Sequence, residues 1–426
     1  MAIPHVLVMA GASPSEQHGG EVYLAEACRN YPRGRISRFA IAHPIYSRPT
    51  EWLGIPVGYA DHPREHGIQR FGRTIAMASA LPLHAYIRRI LVPRLVEEAV
   101  RFGRAQQAEL VWTLLDSPTL MAVAWRAARR LKLPLVVSVL DPPERWTSEL
   151  RFAAITEKAM LAEFERSLRA ACRVAVISEG MQTEYRRRFG LDSILLRHGI
   201  HPSLVQSPVC RPQPGRQLII GLAGSIYARD ARTTLFRALE STGWNIAGRA
   251  VRLRILGNEF DVQVASHADI EFLGWRSVPE TIRLLSGCDL LYLPYWFDPK
   301  FRHSAQLCFP TKLTAYLAAG RPVLVHAPFD SAPAKFLDHF TVGEVCDSLK
   351  PNDLLAACTR LLNDEERYRS ATAAAENAIR EELGLHVFLR RLAELLGGDD
   401  ELYNQMKKQA GLTSSDGMGR EIRQTV

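Results

Sequence analysis

The chain begins the same way twice. Residues 5–10 form a short apolar run leading into GASPSEQHGG, and from Glu21 the pattern turns helical, with Val22, Leu24, Ala25 and Ala27 on an inner face. Residues 218–225, LIIGLAGS, are again a strand entering a glycine loop, followed by a helical pattern over 233–239. A strand, a glycine loop and a helix in succession open a parallel α/β sheet. Two such openings in a chain of 426 residues predict two sheet-centred, Rossmann-like cores.

Between these openings a strand-then-helix rhythm continues, with strands at 110–115, 135–140, 173–177 and 194–196 and helices at 120–131 and 155–170. Right-handed crossovers in such a sheet place ligands beyond the carboxyl ends of the strands. Asp116, Asp141 and Glu144 follow strand ends and are candidate acceptor-binding residues, although Asp116, with SerProThr after it, also suits a turn or cap. Ser178 caps a helix that Gly190 ends. The dinucleotide fingerprint is absent, since Gly11 is followed by Ala and Ser and the next glycines are Gly19 and Gly20. Residues 33–75 show only short apolar pieces at 39–41 and 53–57. The Pro-rich segment 207–217 is the best linker.

In the second half, strands are expected at 251–257, 270–275 and 288–294, a helix at 278–286 and a loop over 295–309 that interleaves Lys300, Arg302 and His303 with aromatics. FPTKLTAYLAAGRPVLVHAP follows at 309–328. Here Thr311 can cap a helix over 313–319, Gly320 supplies a left-handed stop, Pro322 prevents continuation, and 323–325 is a buried strand. The helix N-terminus and Lys312 together suit a pyrophosphate held without a metal; an ordinary capped helix explains the same residues. A strand near 343–346, a helix at 351–362 and a long helical region over 365–396 follow, and 397–426 reads as a polar, mobile tail.

Charge is unevenly divided: residues 1–205 hold 27 Lys+Arg against 19 Asp+Glu, and the remainder is balanced at 26 each. The excess suits an anionic membrane, a lipid phosphate or nucleic acid, or a solvated Arg-rich face. Residues 75–102 form a basic amphipathic segment that can lie on a membrane or pack on a sheet with snorkelling arginines. The seven cysteines lack CxxC spacing, so no zinc site or disulfide framework is expected. Without a leader or an apolar run of about 18 residues, a cytoplasmic location is expected.

The 309–328 stretch resembles the donor-site motif of the retaining family 4 glycosyltransferases of the GT-B fold, through Pro310, Thr311, Lys312, Tyr316–Gly320, Arg321, Pro322 and Val323. The resemblance implies two Rossmann-like domains facing across a cleft, with 1–205 binding the acceptor, 206–217 linking, and 218–396 binding a nucleotide-sugar, its last helix crossing back. Gly19, Gly20, Gly224, Ser225, Arg229, Gly274, Trp275, Pro310, Thr311 and Lys312 are the implied donor-binding residues; Arg229, Lys312 and Asp141 are the implied catalytic ones, and His198 joins the acceptor set. Two glutamates common in the family are Leu307 and Ala315 here, a histidine after the strand ending at Leu140 is missing, and Ser225 stands where the family has Arg.

The expected activity is therefore transfer of a sugar from a nucleoside diphosphate-sugar, with retention and without a metal or other cofactor, to a glycan, lipid-linked or other envelope precursor. Departing phosphate assists deprotonation of the acceptor in that route. The alternative is a catalytically silent GT-B-like protein that binds nucleotide-sugar or an anionic surface. Peripheral contact at the inner face of a membrane is compatible with either, and no nucleic-acid partner is expected.

Overall fold

The computed structural model describes residues 3–11, 13–15, 19–42, 52–63, 81–149, 154–209, 217–225, 227–258 and 268–413. The chain divides into two compact units, the first comprising Met1–Ser15, Gly20–Leu196 and Leu389–Thr413, the second mainly Arg197–Phe388. Both are Rossmann-like.

In the first unit, β1 (Val6–Ala10), β2 (Ile36–Ala42), β3 (Val57–Asp61), β4 (Leu110–Leu114), β5 (Leu135–Val139), β6 (Arg173–Val176) and β7 (Ile194–Leu195) form one sheet in the order β3-β2-β1-β4-β5-β6-β7. Every pairing is parallel. β1, β2, β4 and β5 are buried along their whole length, which is why they appear in the sequence as apolar runs without alternation. Two polar side chains inside β4 are satisfied locally: Trp112 Nε1–H donates to Ser138 Oγ at 3.0 Å and Thr113 Oγ1 donates to the Met9 carbonyl at 3.1 Å.

Helix α1 (Gly19–Asn30) follows β1. A π-helical turn, Ile87–Leu91, leads into α2 (Val92–Ala105). α3 (Pro118–Leu131) packs against both α2 and α4 (Ala154–Ala170). Ser117 Oγ caps α3 by accepting the Leu120 N–H at 3.2 Å, and Ser178 and Gly190 bound the helix Glu179–Phe189 as expected. One expectation fails at the end of the chain. Within 397–426, α-helix Asp400–Gln409 forms, burying Leu402, Tyr403 and Met406, and Gln409 Nε2–H donates to the carbonyls of Arg29 and Tyr31 at 2.6 and 3.0 Å. Its apolar positions recur at helical spacing on a polar background, so the overall polarity of the segment hid them; residues 414–426 lie outside the described residues.

The second unit repeats the architecture with β8 (Leu218–Ala223), β10 (Arg249–Leu256), β11 (Asp269–Phe272), β12 (Leu290–Pro294), β13 (Val323–His326) and β14 (Gly343–Cys346) in the order β11-β10-β8-β12-β13-β14, all parallel. The short β9 (Asn245–Ile246) pairs antiparallel with β10. Ile220, Leu253, Leu290 and Leu324, one from each of four strands, form its core together with Leu235 and Leu239 of α5 (Arg229–Ser241). The 295–309 segment is not a continuous loop: it contains a 3-10 turn, Pro299–Phe301, and a helix, Arg302–Leu307. Among the described residues no helix is long and apolar enough to cross a membrane, and no cluster of metal-ligating side chains occurs.

Candidate functional site

A doubly wound sheet binds ligands where its strand order reverses. In the second unit that point lies between β8 and β12, because β10 flanks β8 on one side and β12 on the other. Gly224, which follows β8, has φ +78°, and Gly257, which follows β10, has φ +137°. A Cβ at Gly257 would lie 2.6 Å from the Gly224 carbonyl oxygen, so the two strand ends approach this closely only with glycine present. Gly224 N–H donates to the Leu256 carbonyl at 2.7 Å and Gly257 N–H to the Gly274 carbonyl at 2.9 Å, lacing the ends of β8, β10 and β11 into one row.

Helix α6 (Lys312–Ala318) is fastened to this row by Tyr316. Its hydroxyl accepts the Ala223 N–H at 2.6 Å and donates to the Tyr292 carbonyl at 3.3 Å. Lys312, one helical turn before Tyr316 on the same face, is thereby held over the loop after β8. Its Nζ–H donates to the Ser225 carbonyl at 3.2 Å and lies 5.1 Å from the Tyr227 ring centroid. Tyr227 stacks on Trp296, centroids 4.5 Å apart and planes 28° apart. Tyr295 contacts Trp296 at 4.7 Å and donates from its hydroxyl to the Cys308 carbonyl at 2.8 Å. Burial pushes the pKa of the Lys312 ammonium down to about 8, and among the described residues no carboxylate offsets this. A desolvated ammonium with carbonyl and ring faces around it is a cation prepared for an anion.

Other implied donor-binding residues fall near this row with altered roles. Thr311 is itself helical and makes no side-chain cap, so the expectation of a Thr311 N-cap is corrected; the turn closes instead through the Leu313 N–H to the Pro310 carbonyl at 2.9 Å. Helix α6 has seven residues, which leaves little macrodipole, and Lys312 supplies the positive charge. Gly320 has φ +64° as expected, and a Cβ there would lie 2.8 Å from the Gln206 carbonyl. Ser225 is exposed and contributes its carbonyl, Arg229 is exposed as the first residue of α5, and Trp275 Nε1–H donates to Asn258 Oδ1 at 2.6 Å. Gly19 and Gly20, expected in a loop, are the first residues of α1. Tyr316 belongs to the 309–328 motif, but its bond across the strand ends was not legible in sequence; Trp296 was signalled only by the aromatic content of 295–309, and nothing in the sequence pointed at Tyr227.

The implied acceptor residues are engaged with their own neighbours. Asp116 Oδ2 accepts the Gly11 N–H at 2.8 Å, across the reversal between β1 and β4. Asp141 pairs with Arg145 at 2.6 Å and Glu144 with Arg188 at 2.6 Å. His198 is buried in the second unit.

Residues 217–364 match the family model described as glycosyl transferases group 1. The solved structures similar to the whole chain have the GT-B fold, and so does this chain. The chain is similar to Anabaena HepE in complex with UDP-glucose, at 14% identity, TM-score 0.62, covering 92% of this chain and 99% of that one. It is similar to sucrose-phosphate synthase from Thermosynechococcus elongatus at 14% identity, TM-score 0.64, covering 95% and 99%. The trehalose 6-phosphate synthase from Burkholderia multivorans is 12% identical, TM-score 0.60, covering 92% and 98%. No curated protein matches the chain.

Proposed function

We propose that this protein transfers a sugar from a nucleoside diphosphate-sugar, bound at the β8/β12 reversal, to an acceptor engaged by the first unit. The observation that carries this reading is Lys312: a half-buried ammonium, its pKa lowered to about 8 by burial, directed at the backbone of the loop after β8. Charge develops on the pyrophosphate as the glycosidic bond to it breaks, and a fixed cation in a partly dry site stabilises that charge more than water does. Gly224 lets the backbone approach the phosphates, and Pro310, Thr311, Ser225 and Arg229 complete the donor set; Gly274 and Trp275 flank the base. Asp116, Asp141 and Glu144 of the first unit form the acceptor set, with His198 joining it from the second unit and Asp141 as its catalytic member.

The group 1 match over 217–364 and the UDP-glucose complex of HepE support a nucleotide donor. Retention, independence of metal, and a glycan or lipid-linked envelope acceptor are what the family resemblance implies. Thermal melting with a panel of nucleoside diphosphates in EDTA tests donor and metal together: an upward shift is expected, and a strict requirement for magnesium or manganese counts against the assignment. Release of nucleoside diphosphate from a nucleotide-sugar panel separates an enzyme from a silent binder.

A further inference from the structure

Residues 81–91, LPLHAYIRRIL, are apolar except for His84, Arg88 and Arg89, and they are helical throughout. None of the eleven is buried. Leu81 is 58% exposed, Tyr86 48% and Ile90 56%, and Ile155 on α4 is 45% exposed. A helix this apolar is ordinarily covered, and exposed large apolar side chains gathered in one region mark an interaction surface.

The surface is held firmly. Glu163 on α4, 1% exposed at its side chain, pairs with Arg88 and, at 2.6 and 2.8 Å, with Arg126 and Arg166; Trp125 Nε1–H donates to it at 2.9 Å. This fastens the 81–91 helix to α4, which carries Ile155. Three guanidinium groups around one carboxylate leave net positive charge beside the apolar residues. Arg89 is exposed, with no carboxylate paired to it among the described residues, and 81–91 contains no acidic residue.

We propose that this exposed helix, through Leu81, Tyr86 and Ile90 with Arg88 and Arg89, docks on an anionic lipid bilayer. The choice of lipid over protein rests on charge complementarity: exposed apolar side chains stand on the same helix as Arg89, which has no described carboxylate paired to it, in the half of the chain that holds all of the excess positive charge. Nothing in this docking depends on the donor site.

The full-length protein is sedimented with phosphatidylcholine vesicles and with vesicles containing about 30% phosphatidylglycerol, an anionic fraction chosen to give a negative surface potential. Binding only to the anionic vesicles at low salt is expected, with release near about 0.5 M salt, where the Debye length falls well below 10 Å. The surface double variant Tyr86→Ser/Ile90→Ser is expected to lose binding by about tenfold or more, and Arg89→Gln by about fivefold, both with unchanged melting and nucleotide binding. The proposal is overturned if wild type ignores anionic vesicles at low salt. It is equally overturned if the double variant and Arg89→Gln both bind as wild type does, or if the wild type is a dimer that the double variant dissolves, which would give the face to a second copy of the chain.

Discussion

The two sheets reverse strand order in the same way, between β1 and β4 in one unit and between β8 and β12 in the other, yet the polar groups there are in opposite states. At the first, acidic groups are spent on neighbours: Asp116 on the Gly11 N–H, Asp141 on Arg145, Glu144 on Arg188. At the second, a cation stands against a carbonyl and an aromatic ring with no described carboxylate beside it. Topology supplies the position in both, and the local balance of charge decides which position is set for an anion. Buried Glu163 in the first unit serves the fold, as do Asp289 and Glu344 in the second, which accept from the Ile219 N–H and from Arg360 and Arg367; Lys312 differs from them in having no described carboxylate beside it.

Glu163 offers the severest trial of this contrast. Glu163→Ala leaves guanidinium groups without their shared carboxylate and is expected to cost about 3–5 kcal/mol of stability in denaturant titration, with nucleotide affinity unchanged. Burial acts to raise the pKa of the Glu163 carboxyl, but hydrogen bonds from Arg126, Trp125 and Arg88 outweigh it and hold the group at about 2, below the ordinary 4.5. Its contribution to stability is therefore present above pH 4.5 and lost as pH falls toward 2, and Glu163→Gln should flatten acid unfolding across that window.

Lys312→Ala should show the reverse pattern: donor binding or turnover reduced by a factor on the order of 10 to 1,000, with little loss of stability because a desolvated ammonium is removed. Equal losses of stability in the two variants would erase the distinction between the units. A third measurement resolves it further by pH. Lys312 carries its proton below about 8, so nucleoside diphosphate affinity should be level below that pH and fall as pH rises through it, by up to about tenfold per unit for one linked proton; calorimetry at pH 7 and 9 reads the difference. The smallest effect is at Tyr227, whose ring faces the ammonium. Tyr227→Leu should weaken nucleotide binding about two- to fivefold, the scale of one cation–π contact, and an effect confined to melting temperature would make the ring a packing residue only.

Much of the fold was legible because buried parallel strands leave apolar runs that end at glycine or aspartate, as at 5–10, 110–115, 135–140 and 218–225. The helix Asp400–Gln409 escaped because three buried side chains among charged neighbours resemble a polar tail. At the site, Lys312 and Gly224 stood out by their types and spacing, whereas Tyr227 and Trp296 are far apart in the chain and meet only as a stack.

Two α/β cores, the places of their glycine loops and strand ends, and the residue types standing there can all be read along the chain, since they follow from periodicity and backbone sterics within a few residues. Which charges are satisfied cannot be read that way. Arg145 pairs with Asp141 and three arginines surround Glu163, while Tyr316, bonded to the end of β8 and to β12, holds Lys312 where burial strips its water and no described acid replaces it. Strand and helix formation are local, whereas charge satisfaction depends on groups that folding brings together from distant parts of the chain.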